Sequence, residues 1–172
     1  MQLILIHFIA GLAFSAGVAA ISAIVQSFKQ NDRIIYVQCS NGDSDWLFRN
    51  KWAHFGIQTD FCYSNDPHEI AQLLRPTTVA VWLETPANPT LMVVDIEAVA
   101  SAVHAKGGKH VLVVVDNTFM TPVLQRPLEL GADVVVYSCT KYLCGHADVT
   151  MGCLTFNDDE LYKKFQENQI CK

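Results

Sequence analysis

Lys141 lies in Tyr137-Ser138-Cys139-Thr140-Lys141-Tyr142-Leu143-Cys144-Gly145-His146-Ala147-Asp148, and Asp116 closes the apolar run Val111 to Val115. A lysine amine condenses with an aldehyde such as that of pyridoxal phosphate. A carboxylate at the ring nitrogen keeps the ring protonated, which makes it an electron sink for amino-acid carbanions. Taken singly, both residues have plainer readings, a solvated lysine and a strand-end carboxylate. Ser138 and Thr140 add hydroxyls beside Lys141 that suit a phosphate at the far end of the same ring. Ala16-Gly17-Val18 offers a second phosphate contact, because a glycine opening the helix Val18 to Phe28 leaves backbone N–H groups free for an anion. Alone, that glycine reads more simply as a packing residue. There is no G-x-G-x-x-G and no G-x-x-x-x-G-K-S/T, so the usual nucleotide signatures are missing.

These residues need a frame that gathers strand ends. Strand-like and helix-like stretches alternate: Arg33 to Gln38 then Asp45 to Phe55, Gln58 to Tyr63 then Pro67 to Leu74, Val79 to Leu83 then Asp95 to Ala105, and finally Val111 to Val115. Near-continuous apolar strands such as Val111 to Val115 and Val134 to Val136 read as buried on both faces. The fold class is therefore α/β, three layers, with a mostly parallel sheet flanked by helices. Ser44 or Asp45, Asp66 before Pro67, and Asp95 are the helix caps, and Gly56 and Gly107-Gly108 the stops. In such sheets ligands bind beyond the carboxyl ends of the strands, where Asp116 and the loop Glu84-Thr85-Pro86-Ala87-Asn88-Pro89 fall.

Composition narrows the function further. The chain has 172 residues, about half apolar, and a formal net charge of −5, which fits one globular domain with a real core. Without a basic stripe, nucleic acid is not an expected partner. The six cysteines lack C-x-x-C pairing and the six histidines lack an i, i+4 pair, so neither a disulfide scaffold nor a metal site is expected. Met1 to Val25 carries no Lys, Arg, Asp or Glu. It reads either as a targeting or membrane segment or as the start of the domain. The uncharged n-region and the breaks at Gly11, Ser15, Gly17 and Ser22 favour the second, and with it a cytoplasmic protein that does not enter the membrane.

Several motifs occur in order: Glu84 to Thr90, Val115-Asp116-Asn117-Thr118-Phe119, Gln125 to Asp133, and Ser138 to Asp148 followed by Met151-Gly152. Together they resemble the cysteine/methionine-metabolism family of pyridoxal-phosphate enzymes, and within it the cystathionine γ-lyases, from about Leu12 onward. The resemblance implies a fold type I large domain, and a lyase of trans-sulfuration that cleaves cystathionine to cysteine, 2-oxobutanoate and ammonia. It assigns Lys141 to the cofactor aldehyde and to proton transfer, and Asp116 to the pyridine nitrogen. Ser138, Thr140, Gly17 and Val18 match the phosphate cradle, Asn88 the residue near the ring hydroxyl, and Thr118 a wall of the same pocket. It also implies homo-oligomers with sites shared between subunits.

Departures accompany the matches. Asn41 stands where the family has a ring-stacking tyrosine, Ala16 replaces a serine, Cys144 a small polar residue, and Cys39 an acidic one. Residues 1–11 match poorly, so residues 12–172 are expected to be part of the large domain. The family's N-terminal segment and its C-terminal small domain, with the arginine that binds the substrate carboxylate, are not in this sequence. The resulting expectation is weak or no turnover by this short chain. Two alternatives stand beside it, a non-catalytic paralogue that binds full-length subunits and a secreted or tethered product of the apolar N-terminus.

Overall fold

The computed structural model describes residues 10–37 and 43–170. Among them the strands form one seven-stranded sheet, in the order β1-β7-β6-β5-β4-β2-β3. The strands are β1 (Ala10–Phe14), β2 (Arg33–Val37), β3 (Gln58–Cys62), β4 (Thr78–Glu84), β5 (Leu112–Asp116), β6 (Val134–Ser138) and β7 (Gly152–Phe156). Strands β2 to β6 pair in parallel, β7 runs antiparallel to β6, and β1 runs antiparallel to β7. Two reversals restore the direction, so β1 points the same way as β6 and its carboxyl end reaches the same rim of the sheet.

The helices are α1 (Gly17–Val25), α2 (Asp43–Trp46), α3 (Pro67–Gln72), α4 (Ile96–Gly107), α5 (Thr121–Leu124) and α6 (Asp159–Ile170). One face of the sheet carries Tyr36, Trp82, Val114, Val136, Leu154 and Phe156 in a core with Ile24 of α1 and Phe165 of α6. The other face packs Ile35, Val81, Val113 and Val115 against Ile70 of α3 and Val99 and Val103 of α4. The expected three layers are present, with the central strands buried on both sides.

Local chemistry explains most helix ends. Asp66 accepts a hydrogen bond from the His68 N–H at 2.7 Å, with Pro67 in the first turn, and Asp95 accepts one from the Ala98 N–H at 3.0 Å. Gly56 (φ 77°, ψ 11°) takes the left-handed cap conformation, and Gly108 (φ 74°, ψ 172°) stops its helix with a positive φ outside that region. One cap is corrected. The second helix begins at Asp43, so Ser44 and Asp45 lie inside its first turn, and the Asp45 carboxylate accepts from Arg49 Nε one turn on at 2.8 Å. The stretch continues as a π turn (Leu47–Lys51) and a 3₁₀ turn (Trp52–Phe55) rather than as one regular helix. Of the apolar N-terminal stretch, the described residues 10–25 contain β1 and α1. Among the described residues no helix is long and apolar enough to cross a membrane.

Candidate active site

Three neighbouring strands end in the same pattern. Ala80-Trp82-Glu84, Leu112-Val114-Asp116 and Val134-Val136-Ser138 are same-face rows, each apolar until a polar residue closes it. The parallel register sets Glu84 beside Asp116 and Asp116 beside Val136, two residues before Ser138. The core face thus becomes polar at one rim of the sheet, as expected where loops leave parallel strands. A cavity of about 420 Å³ opens there. All eight residues singled out from the sequence line it: Gly17, Val18, Asn88, Asp116, Thr118, Ser138, Thr140 and Lys141.

Helix α1 begins directly over this rim because β1 delivers it there. Its cap position, Ala16, is extended and contributes no side-chain hydrogen bond, so the first-turn amides are left without a capping side chain. The close approach depends on two glycines. A Cβ on Gly17 would stand 2.9 Å from Ser138 Cβ, and one on Gly152 would stand 2.3 Å from the Ala16 carbonyl oxygen. Opposite this helix start, Lys141 is exposed on the turn after β6. That turn is closed by hydrogen bonds from Lys141 N–H to the Ser138 carbonyl at 3.1 Å, Cys144 N–H to the Cys139 carbonyl at 2.9 Å, and Gly145 N–H to the Lys141 carbonyl at 2.8 Å. No partner engages the Lys141 amine among the described residues.

Asp116 is half-buried at the end of β5, and its carboxylate accepts the Thr118 N–H at 3.0 Å. Burial drives its pKa up, and the hydrogen bonds from the Thr118 side chain and backbone only partly offset this. Thr118 also accepts the Ser138 N–H at 2.8 Å, so one hydroxyl ties the Asp116 carboxylate to the end of β6. Thr118 therefore couples two site residues besides lining the cavity. Thr140 has a structural tie besides lining the cavity. Its hydroxyl donates to the Met151 carbonyl at 3.2 Å and accepts the Met151 N–H at 2.9 Å, which fastens the Lys141 turn to the start of β7. The Ser138 hydroxyl lies close to the helix start at Gly17.

The raised pKa of Asp116 has a measurable consequence. The folded chain holds this proton more tightly than the unfolded chain, so the associated stability is present below the ordinary carboxylate pKa and is lost as pH rises through the raised one. Asp116→Asn is expected to raise Tm near neutral pH by about 2–4 °C, the shift roughly 1 kcal/mol produces in a chain of this size. Thermal melts should show that gain shrinking at acid pH. An equal gain at both pH values would contradict the assignment.

Sequence reading alone gave no role to Glu84, Asn117 or Gln125. Glu84 lines the cavity, and its Oε1 accepts the Asn88 N–H at 3.1 Å. The signal for it was the shared apolar-then-polar row of the three strands. Asn117, fully buried, donates to the Gln125 carbonyl at 2.9 Å and to the Tyr137 hydroxyl at 3.2 Å. Gln125 Nε2 donates to the Thr85 carbonyl at 3.0 Å and to Asn117 Oδ1 at 2.9 Å. This network holds the Glu84 to Asn88 loop against β5 and β6 from below. Burial pushes the Tyr137 phenol up to about 12, which keeps it protonated in the network at neutral pH. Asn41 and Cys39, two of the departures, lie outside the described residues. Cys144 donates its thiol to Asp148 Oδ1 at 2.8 Å and is not among the residues that line the cavity.

Residues 5–171 match the family described as Cys/Met metabolism PLP-dependent enzyme. The chain belongs to that family. It is 42% identical over 159 residues to the cystathionine gamma-synthase/O-acetylhomoserine (thiol)-lyase of Bacillus subtilis, covering 92% of this chain and 42% of the relative. It is 41% identical over 161 residues to the cystathionine gamma-lyase of Homo sapiens, covering 92% of this chain and 39% of the relative. The crystal structure of metB from Corynebacterium glutamicum superposes with a TM-score of 0.90 at 34% identity, over 97% of this chain and 43% of that one. The chain thus spans about two fifths of the length of these proteins. The family's pyridoxal phosphate fits the donor set seen here, with an uncapped helix start beside a serine hydroxyl, a half-buried carboxylate and an amine, neither of them ion-paired among the described residues, around one cavity.

Proposed function

We propose that the chain is the cofactor-binding portion of a pyridoxal-phosphate-dependent carbon–sulfur lyase, acting in the cytoplasm on a cystathionine-like amino acid to release cysteine, 2-oxobutanoate and ammonia. The observation that carries the reading is the convergence of all eight residues, spread over 125 positions from Gly17 to Lys141, on one cavity. When bound, pyridoxal phosphate supplies an electron sink for carbanions at the substrate carbons.

The chain's own groups then have distinct tasks. The α1 amides at Gly17 and Val18, with Ser138, hold a phosphate through the helix dipole and the free N–H groups. Asp116 holds a proton at the ring nitrogen; a cation there reverses the burial penalty on its carboxylate. Asn88 would be the residue near the ring hydroxyl, and Thr118 keeps Asp116 and Ser138 in register. The Lys141 amine binds the cofactor aldehyde and then carries protons between substrate carbons as base and acid in turn.

Relatives of nearly equal identity bear the names of different reactions, a synthase at 42% and a γ-lyase at 41%. The γ-lyase reading rests on the motif resemblance rather than on identity. No arginine lines the cavity among the described residues, so the described site offers a substrate carboxylate no bidentate guanidinium partner. The 172-residue chain alone is therefore expected to turn over cystathionine weakly, at least about 10²-fold below a complete enzyme. A steady-state assay of 2-oxobutanoate release tests this, and turnover near that of a complete enzyme would contradict it.

A second reading is favoured by one feature, the exposed apolar side chains Val18, Tyr142 and Val149 near the site. They suit a subunit that pairs with other copies, either as part of a homo-oligomer with shared sites or as a non-catalytic partner of full-length subunits. Co-purification with a full-length relative tests that association.

A further inference from the structure

The antiparallel pairing of β6 and β7 brings two thiols together beside the Lys141 turn. Tyr137 is opposite Cys153 and Ser138 opposite Gly152, after which Thr140 N–H bonds to the Met151 carbonyl at 3.1 Å. Cys139 is therefore the first residue past the paired positions, at the start of the Lys141 turn. Val136, Leu154 and Phe156 belong to the core under α1 and α6, so strand alternation puts Tyr137 and Cys153 on the opposite face. The Cys139 Sγ lies 4.0 Å from the Tyr137 carbonyl oxygen, and the Cys153 thiol is the side chain it interacts with.

Both thiols are free and only half-buried, and each feels the other electrostatically. The contact divides their character. The Cys153 thiol lowers the pKa of Cys139, while the same contact and burial raise that of Cys153. The other described cysteines are differently placed. Cys62 is buried in the core on the α3 and α4 side, and Cys144 is engaged by the Asp148 carboxylate.

We propose that Cys139 and Cys153 form a two-thiol modification site that a hydroperoxide oxidises to a cross-strand disulfide. The Cys139 thiolate attacks one peroxide oxygen, the O–O bond breaks, and Cys139 becomes a sulfenic acid as the alcohol or water leaves. The Cys153 sulfur then attacks the Cys139 sulfur. The S–S bond forms, the S–O bond breaks, and the departing hydroxide takes the Cys153 proton as water. Two thiols and one hydroperoxide give one disulfide, one alcohol or water, and one further water. The bond ties the first residue of the Lys141 turn to β7, so oxidation fixes the turn that presents Lys141. Its bearing on cofactor binding rests on the function proposed above, but its formation does not.

The test is to treat the full chain with hydrogen peroxide, alkylate the remaining thiols, and map disulfides by mass spectrometry. The expected result is a Cys139–Cys153 bond with loss of both from the alkylated pool. In Cys153→Ser, a sulfenic acid at Cys139 trapped by dimedone is expected in place of the bond. Both cysteines remaining alkylatable while other thiols oxidise, or a Cys139–Cys144 bond, would overturn the proposal. If Cys153→Ser does not fold, the wild-type map decides alone. Labelling of Lys141 by pyridoxal phosphate in the reduced chain is scored separately, so a failed cofactor site and a failed dithiol give different results.

Discussion

Replacing Lys141 with alanine is expected to abolish retention of pyridoxal phosphate through gel filtration and to lower any lyase turnover by about 10²–10⁴-fold, the range over which a positioned acid–base group acts. Lys141 is the only cation lining the cavity among the described residues, and its amine has no competing partner. Among the described residues no second amine lines the cavity to take over its proton transfers. The fold should survive, because the turn is held by backbone bonds from residues 141, 144 and 145 and by Thr140 on Met151. Circular dichroism and melting should therefore match the wild type while cofactor retention is lost. A Lys141→Ala chain that keeps the cofactor and its turnover would remove Lys141 from the site.

Gly152→Val is expected to have the largest effect on stability. A Cβ at this position would lie 2.3 Å from the Ala16 carbonyl oxygen, 2.6 Å from its carbon and 2.8 Å from Gly17 Cα. These are all backbone atoms, which cannot rotate away. The start of α1 must lift off β7, at a cost of about 3 kcal/mol or more. In a chain of this size that lowers Tm by roughly 6–12 °C. Gly17→Ala supplies the contrast. Its new Cβ meets Ser138 Cβ at 2.9 Å, a clash between one side chain and the helix start, so the stability loss should be smaller while phosphate affinity falls. Thermal melts and phosphate or pyridoxal-phosphate titration separate the two. Equal stability of Gly152→Val and wild type would mean that α1 does not sit on β7 as described.

What the sequence disclosed followed the strength of each physical signal. The runs Val111 to Val115 and Val134 to Val136 are β-branched and continuous, so their burial on both faces was readable. The caps Asp66 and Asp95 announced their helices by side-chain chemistry. By contrast β1, Ala-Gly-Leu-Ala-Phe, is poor in strand formers and lies in a charge-free stretch that also admits reading as a leader. It became a strand only because β7 supplies its partner. Strand β7, Gly-Cys-Leu-Thr-Phe, is short and lacks punctuation. Helix α6 is mostly polar and places Phe165 in the core with little periodicity around it, although Asp158 does cap it, accepting from the Glu160 and Leu161 N–H groups at 2.7 and 2.9 Å. At the site, residue types identified candidates but not couplings. That Thr118 links Asp116 to Ser138, and that Thr140 is engaged by Met151, depends on strand register, which no spacing in the chain reveals.

The central claim is that Lys141 is the residue to which the cofactor attaches. The direct measurement is to incubate the chain with pyridoxal phosphate, reduce with borohydride, and map the modified lysine by mass spectrometry, with Lys141→Ala as control. One label per chain, on Lys141 and lost in the variant, is the predicted result. Label scattered over exposed lysines such as Lys51 and Lys163, or no label at all, would contradict the claim and leave the cavity an inherited shape without its chemistry.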